Sequence, residues 1–119
     1  MGRVSNIDHN GEKVLFLDFS GIETAEVSAM LSEAVGVIHS APPKSLKIMS
    51  DFTDAHYDSA ATDAVKKFSA SNKPYVKASA VVGITGMKKI IFTGIITATG
   101  RKMNLCNTRA EALDWLAKQ

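Results

Sequence analysis

An α/β domain built on a five-stranded, mixed and mostly parallel sheet is predicted by three observations. From residue 13 onward, short apolar runs rich in β-formers alternate with amphipathic stretches, the pattern of strands joined by crossover helices. Asn10-Gly11 separates the first two strand-like runs, and both residues tolerate positive φ, so the chain opens with an antiparallel hairpin. No linker, internal repeat or low-complexity stretch interrupts the chain, and residues 1–119 read as a single domain. The resulting order is β-β-α-β-α-β-α-β-α.

Each element has its own signal. Residues 3–7 alternate weakly, Asp8-His9-Asn10-Gly11 supplies turn chemistry, and residues 13–19 form an apolar strand expected to be buried on both faces. Ser20-Gly21 breaks that strand. Val27, Met30, Leu31, Ala34, Val35 and Ile38 then recur at steps of three and four, one face of a helix. Thr24 is the expected cap, and Pro42-Pro43 bars continuation. Residues 46–50 are the next strand. Its helix buries Ala61, Ala64, Val65 and Phe68 and stops at Asn72 and Pro74.

Residues 79–84 read as a central strand of small apolar side chains. Residues 90–99 are ambiguous. Their Ile and Thr content favours a strand, whereas Met87, Ile90, Ile91, Gly94, Ile95 and Ala98 fall on one side at about 100° per residue. A helix is preferred, because a short strand at residues 102–106 follows Gly100. In the last helix Thr108 caps, Glu111 completes a capping box, and Ala112, Leu113, Trp115 and Leu116 face inward.

Composition narrows the function. The hydrophobic fraction of 45% and charged fraction of 22% are those of a soluble globule. Lys+Arg 14 against Asp+Glu 12 gives a formal net charge of +2, without the concentrated basic face that nucleic acid requires. The single cysteine, Cys106, has no internal disulfide partner, and the polar amino terminus lacks a signal-peptide core, so a cytoplasmic protein is expected. The longest mostly apolar run, residues 90–98, is too short to span a bilayer, and an integral membrane protein is not expected.

Three stretches resemble one family: Asn72-Lys73-Pro74-Tyr75-Val76-Lys77-Ala78-Ser79-Ala80-Val81-Val82-Gly83-Ile84-Thr85-Gly86-Met87-Lys88-Lys89, then Thr99-Gly100-Arg101, then Asn107-Thr108-Arg109-Ala110-Glu111-Ala112-Leu113-Asp114-Trp115-Leu116. Together they resemble the SpoIIAA-like family of small bacterial proteins, which is grouped with STAS and CRAL-TRIO-like domains. The resemblance is strongest over residues 72–116 and weaker but collinear before them. It implies a mixed-sheet α/β fold and a helix for the ambiguous segment. For function it implies two classes: anti-sigma-factor antagonists, which are protein-binding switches, and carriers of lipid-like molecules.

Candidate sites fall in three places. The first is the polar loop after residues 46–50, with Asp51, Thr53, Asp54, His56, Asp58 and Ser59, at the carboxyl end of a strand where open α/β sheets usually place sites. In the STAS antagonists this strand-loop-helix carries a Ser that is phosphorylated at the helix N-terminus. Ser59 after Asp58 is the nearest match. The pattern departs at Ala60-Ala61, where the antagonists have a second Ser followed by Gly, and at Asp54, near their usual Gly. The alternative is that Asp58 or Ser59 is a helix cap and the carboxylates are solvated. A calcium loop fails, since its sixth and twelfth places hold Ser59 and Val65 instead of Gly and Glu, and no metal is expected.

The second place is the turn of residues 83–89, where Thr85, Gly86, Lys88 and Lys89 would suit an anion at a helix N-terminus. The alternative is a Thr-capped helix with two solvated lysines. The third is Phe92 and Ile96, which project away from the other apolar residues of their helix: a dimer surface, a partner groove or a lipid-facing wall, or else a side covered by a neighbouring helix. No nucleophile-base pair can be assembled; Cys106 reads as a buried filler. Neither catalytic residues nor a cofactor is expected. The leading reading is a non-enzymatic STAS-type regulatory module with a protein partner, as a homodimer. The alternative is a carrier of a small amphipathic or lipid-like ligand, with a hollow beneath residues 90–96 and Lys88 and Lys89 at its mouth.

Overall fold

Alternating strands and helices fold into one five-stranded sheet. A computed structural model describes residues 3–100 and 102–119, with all their side chains except those of Ile95 and Thr99. The strands are β1 (Val4–His9), β2 (Glu12–Asp18), β3 (Leu46–Asp51), β4 (Val76–Val82) and β5 (Met103–Cys106). The helices are α1 (Thr24–Ile38), α2 (Ser59–Asn72), α3 (Met87–Thr99) and α4 (Arg109–Ala117), with a 3-10 turn at Lys73–Tyr75. Strand order is β1-β2-β3-β4-β5; β1 pairs with β2 antiparallel and all other pairs are parallel. The expected element order is therefore observed, including the helix in the ambiguous segment. The hairpin turns on Asn10 and Gly11, both at positive φ (51° and 79°). The fourth strand starts at Val76, earlier than the expected residue 79, because the 3-10 turn takes up the Pro74 constraint and frees the chain to extend.

Because the strands follow one another across the sheet, right-handed crossovers put α1, α2 and α3 on the same face. The core on that face joins Leu15, Leu17, Ile48 and Val81 from the sheet to Val27, Ile38, Val65 and Phe92 from the helices. The alternate residues, Val14, Phe16, Met49, Ala78, Ala80 and Val82, face the other way and are covered by Ala112 and Leu116 of α4. Lys47, buried on that side, pairs with Glu12.

Two caps differ from expectation. Glu23, not Thr24, precedes the first turn of α1, and the Glu26 carboxylate accepts the Glu23 amide at 3.1 Å. The Thr24 hydroxyl is used elsewhere, accepting the Asp58 amide at 3.0 Å. In α4 the Thr108 hydroxyl accepts the Glu111 amide as expected, while Glu111 reaches one residue further back, to the Asn107 amide at 3.0 Å.

The apolar girth of α3 is oriented otherwise than the sequence suggests. Phe92 is buried, its ring 5.1 Å from that of Phe52, which stacks on Phe19 at 4.5 Å. Ile96 is half-buried, and among the described side chains of this helix the large exposed apolar ones are Met87 (76%) and Ile90 (69%). Of the expected pair, Phe92 is thus turned inward, as the covered alternative has it, while Ile96 remains half-buried. Apolar residues surround this helix, so their spacing leaves open which arc is buried. The aromatic cluster decides it. The Ile95 side chain and residue Arg101 lie outside what is described. Phe92→Leu is expected to cost about 1 kcal/mol in urea unfolding and to leave self-association unchanged, whereas an interface residue would move association alone.

Candidate functional site

The polar loop at residues 51–59 does follow β3 at the carboxyl edge of the sheet, but this edge has no crevice of the usual kind. In doubly wound sheets the ligand crevice opens where strand order reverses and adjacent loops diverge. Here the order never reverses, so the loops after β2, β3 and β4 remain in contact. The Gly21 amide donates to the Thr53 carbonyl (2.9 Å), the His56 amide to the Ile22 carbonyl (2.8 Å), and the Phe52 amide to the Val82 carbonyl (2.8 Å). On the far side, Gly83 at φ +83° lies directly against Thr53.

Asp51 and Asp18 end adjacent parallel strands in register, both on the α4 side of the sheet. Two carboxylates so placed repel unless a cation joins them. Arg109, the first residue of α4, does so. Its Nε donates to Asp51 Oδ2 at 2.6 Å, its guanidinium lies 3.8 Å from Asp18 Oδ1, and its plane covers the Phe16 ring at 4.7 Å. The other Asp51 oxygen accepts the Thr53 amide (2.9 Å) and hydroxyl (2.6 Å). Burial pushes the Asp51 carboxyl up, but the Thr53 hydrogen bonds and the charged Arg109 outweigh it and hold the group below its ordinary value.

The first candidate set therefore divides. Asp51, 3% exposed, is a structural anchor and not available to a partner, and Thr53 serves it. Asp54, His56, Asp58 and Ser59 are exposed together along the loop. Asp54 adopts φ 56°, which Gly enters freely and Asp tolerates, so the replacement of the antagonists' Gly is sterically accommodated. Asp58 is the N-cap of α2, accepting the Ala61 amide at 2.9 Å. Ser59 is the first residue of that helix.

The turn of residues 83–89 departs from the expected anion cradle. Lys88 reaches back over the Tyr57 ring, 5.1 Å from its centroid, and donates to the Ala55 carbonyl. The loop therefore uses the ammonium that an anion would need. Burial pushes the Tyr57 hydroxyl up to about 12, so that ring stays neutral beneath the lysine. The helix begins at Gly86 with no side-chain cap, and Thr85, expected as the capping alternative, does not fill that role. Lys89 is exposed.

Beneath α3, the space between Leu17, Phe52, Val65, Phe92 and Met103 amounts to about 30 Å³, and a second void beside Tyr57 and Ile91 to about 20 Å³. Each has room for a water-sized molecule, not for an acyl chain. Cys106 is buried; burial, then the Glu111 charge, pushes its thiol up against an opposing Asn104 hydrogen bond, away from the reactive thiolate. Among the described residues no group of three or more His, Cys, Asp or Glu side chains is placed to hold a metal ion. No helix among the described residues is long and apolar enough to cross a membrane.

The residue that sequence reasoning missed is Arg109. It stands in a capped first helical turn, where a cation is disfavoured by the dipole, and that mismatch was the one available signal of a tertiary partner.

No protein-family model matches the chain, and no curated protein does. Among solved structures it is similar to an uncharacterized protein of the DUF3478 family from Shewanella loihica PV-4, described as having a SpoIIAA-like fold. The TM-score is 0.77 at 14% sequence identity, over 95% of this chain and 91% of that one. Identity this low speaks for the fold alone, and it agrees with the resemblance carried by residues 72–116. This chain has the SpoIIAA-like fold.

Proposed function

We propose that this protein is a non-enzymatic STAS-type module that binds a protein partner through the loop of residues 54–59. One observation carries the reading: the loop backbone is held from three sides while Asp54, His56 and Ser59 are exposed, beside Asp58, which is exposed but caps α2. A loop fixed before binding loses little conformational entropy when a partner arrives. Ser59 is the acceptor for a regulating phosphate in this reading. It is exposed at the first position of α2, where free amides and the helix dipole favour added negative charge. A phosphate there would stand next to Asp58, concentrating charge that a partner must accommodate or reject.

The test is affinity capture from native lysate with the wild-type chain and with Asp58→Ala/Ser59→Glu. The variant loses a cap worth about 1 kcal/mol, so its circular dichroism is checked first. At least one partner held by the wild type is expected to be lost. Identical partner lists would remove the proposal.

A further inference from the structure

We infer that a second copy of this chain docks across the groove between α1 and α2, forming a two-fold dimer. The groove runs along the outer side of the two helices and encloses about 640 Å³. Its floor is apolar, with Leu31 buried and Val35, Ala64 and Phe68 half-buried, so a partner seated there would complete the cover of these side chains.

Its charges say which partner fits. Of the lining residues only Asp58 and Lys67 are charged. Asp58 caps α2 and Lys67 stands nine residues on, about 13 Å along the axis and one turn before Ser71, the last lining residue. One end is therefore acidic and the other basic, and a two-fold axis across the middle makes the groove complementary to itself. Asp58 then meets Lys67 of the partner subunit, and the same pair repeats on the other side. The helices add to this. Both α1 and α2 connect parallel strands on one face and so run in the same direction, which the two-fold turns antiparallel to the partner's pair, with helix dipoles opposed. A contact of this type closes on itself, whereas a head-to-tail contact would need a second, different surface. The groove shares Asp58 with the loop of residues 54–59, but Ala64→Glu lies outside that loop and the readout is mass, not partner capture, so failure of the dimer and failure of the loop reading are distinguishable.

Sedimentation velocity on the wild-type chain at about 100 µM is expected to give a species of twice 12.7 kDa. Ala64→Glu, which places a carboxylate in the middle of the groove on each side, is expected to give a monomer with an unchanged far-UV spectrum. Lys67→Glu is expected to weaken the dimer about tenfold, since it sets like charges opposed at both ends. Asp58→Lys/Lys67→Glu is expected to restore it, with thermal melting reporting the lost N-cap separately. A wild-type monomer at that concentration would overturn the inference and leave the groove to a helix of another protein. A dimer that survives Ala64→Glu would overturn it equally, placing association on another surface.

Discussion

Arg109→Met is expected to destabilise the protein by roughly 1–2 kcal/mol at neutral pH: Asp51 is buried, but the guanidinium is about half exposed, so solvent screens part of the charge pairing. Methionine retains much of the contact with Phe16, so the loss falls on charge. Asp51, 3% exposed, would keep its hydrogen bonds from Thr53 but face Asp18 in the adjacent strand without a cation between them. The pH dependence identifies the cause. A carboxyl held below its ordinary value stabilises the fold above the unfolded-state pKa of about 3.9, and that contribution is lost as pH falls through the lower folded-state value. The penalty of Arg109→Met is therefore largest at neutral pH and shrinks on acidification, as Asp51 takes up a proton. Urea unfolding at pH 7 and across the acid range measures it. Asp51→Asn in the same chain is expected to recover part of the loss. An equal penalty at every pH would mean that Arg109 acts by packing alone.

Gly83→Ala is expected to cost roughly 3 kcal/mol and to lower the melting temperature by on the order of 10 °C. Gly83 has φ +83°, where an L side chain is strained, and a Cβ there would lie 2.7 Å from the Thr53 Cα and closer still to its amide nitrogen. The obstructing atoms are backbone and cannot swing aside. Thr53 also ties Asp51 in place, so the displacement would reach the base of the loop of residues 54–59. Gly94→Ala is the control. Its Cβ meets nothing within 4 Å, and in a helix the exchange is expected to be neutral or stabilising by up to about 1 kcal/mol. Differential scanning calorimetry of both variants decides whether loop contact or mere glycine loss is responsible.

The contrast between those glycines shows what was legible and what was not. Local pattern places Gly83 at a turn and Gly94 in a helix, but nothing local says that a side chain at 83 would strike another loop. Gly83 is constrained by Thr53, thirty residues away in sequence and brought near only by the parallel pairing of β3 with β4. Phe92 makes the same point for a side chain. Spacing places it on a helix, but the choice between interface and core belongs to Phe52, supplied from another loop. Thr24 fits a cap by residue type, yet its hydroxyl is engaged by the Asp58 amide, while Glu23 and Glu26 handle the helix start. Asp58 and Thr108, by contrast, were readable because capping acts within three or four residues.

The sequence by itself determined the element order, the Asn10-Gly11 hairpin, the parallel sheet behind it and the position of the polar loop after β3. Those features follow from periodicity and turn chemistry, which act over a few residues, and from crossover rules that depend only on the order of elements. Tertiary structure alone decided which polar residues are buried or engaged and which are exposed. It withdrew Asp51 into an ion pair with Arg109 and Lys88 into a contact with Ala55, turned Phe92 inward, and left Asp54, His56, Asp58 and Ser59 outside. The physical reason is that burial and charge pairing are set by residues far apart in the chain, whose approach no local pattern encodes.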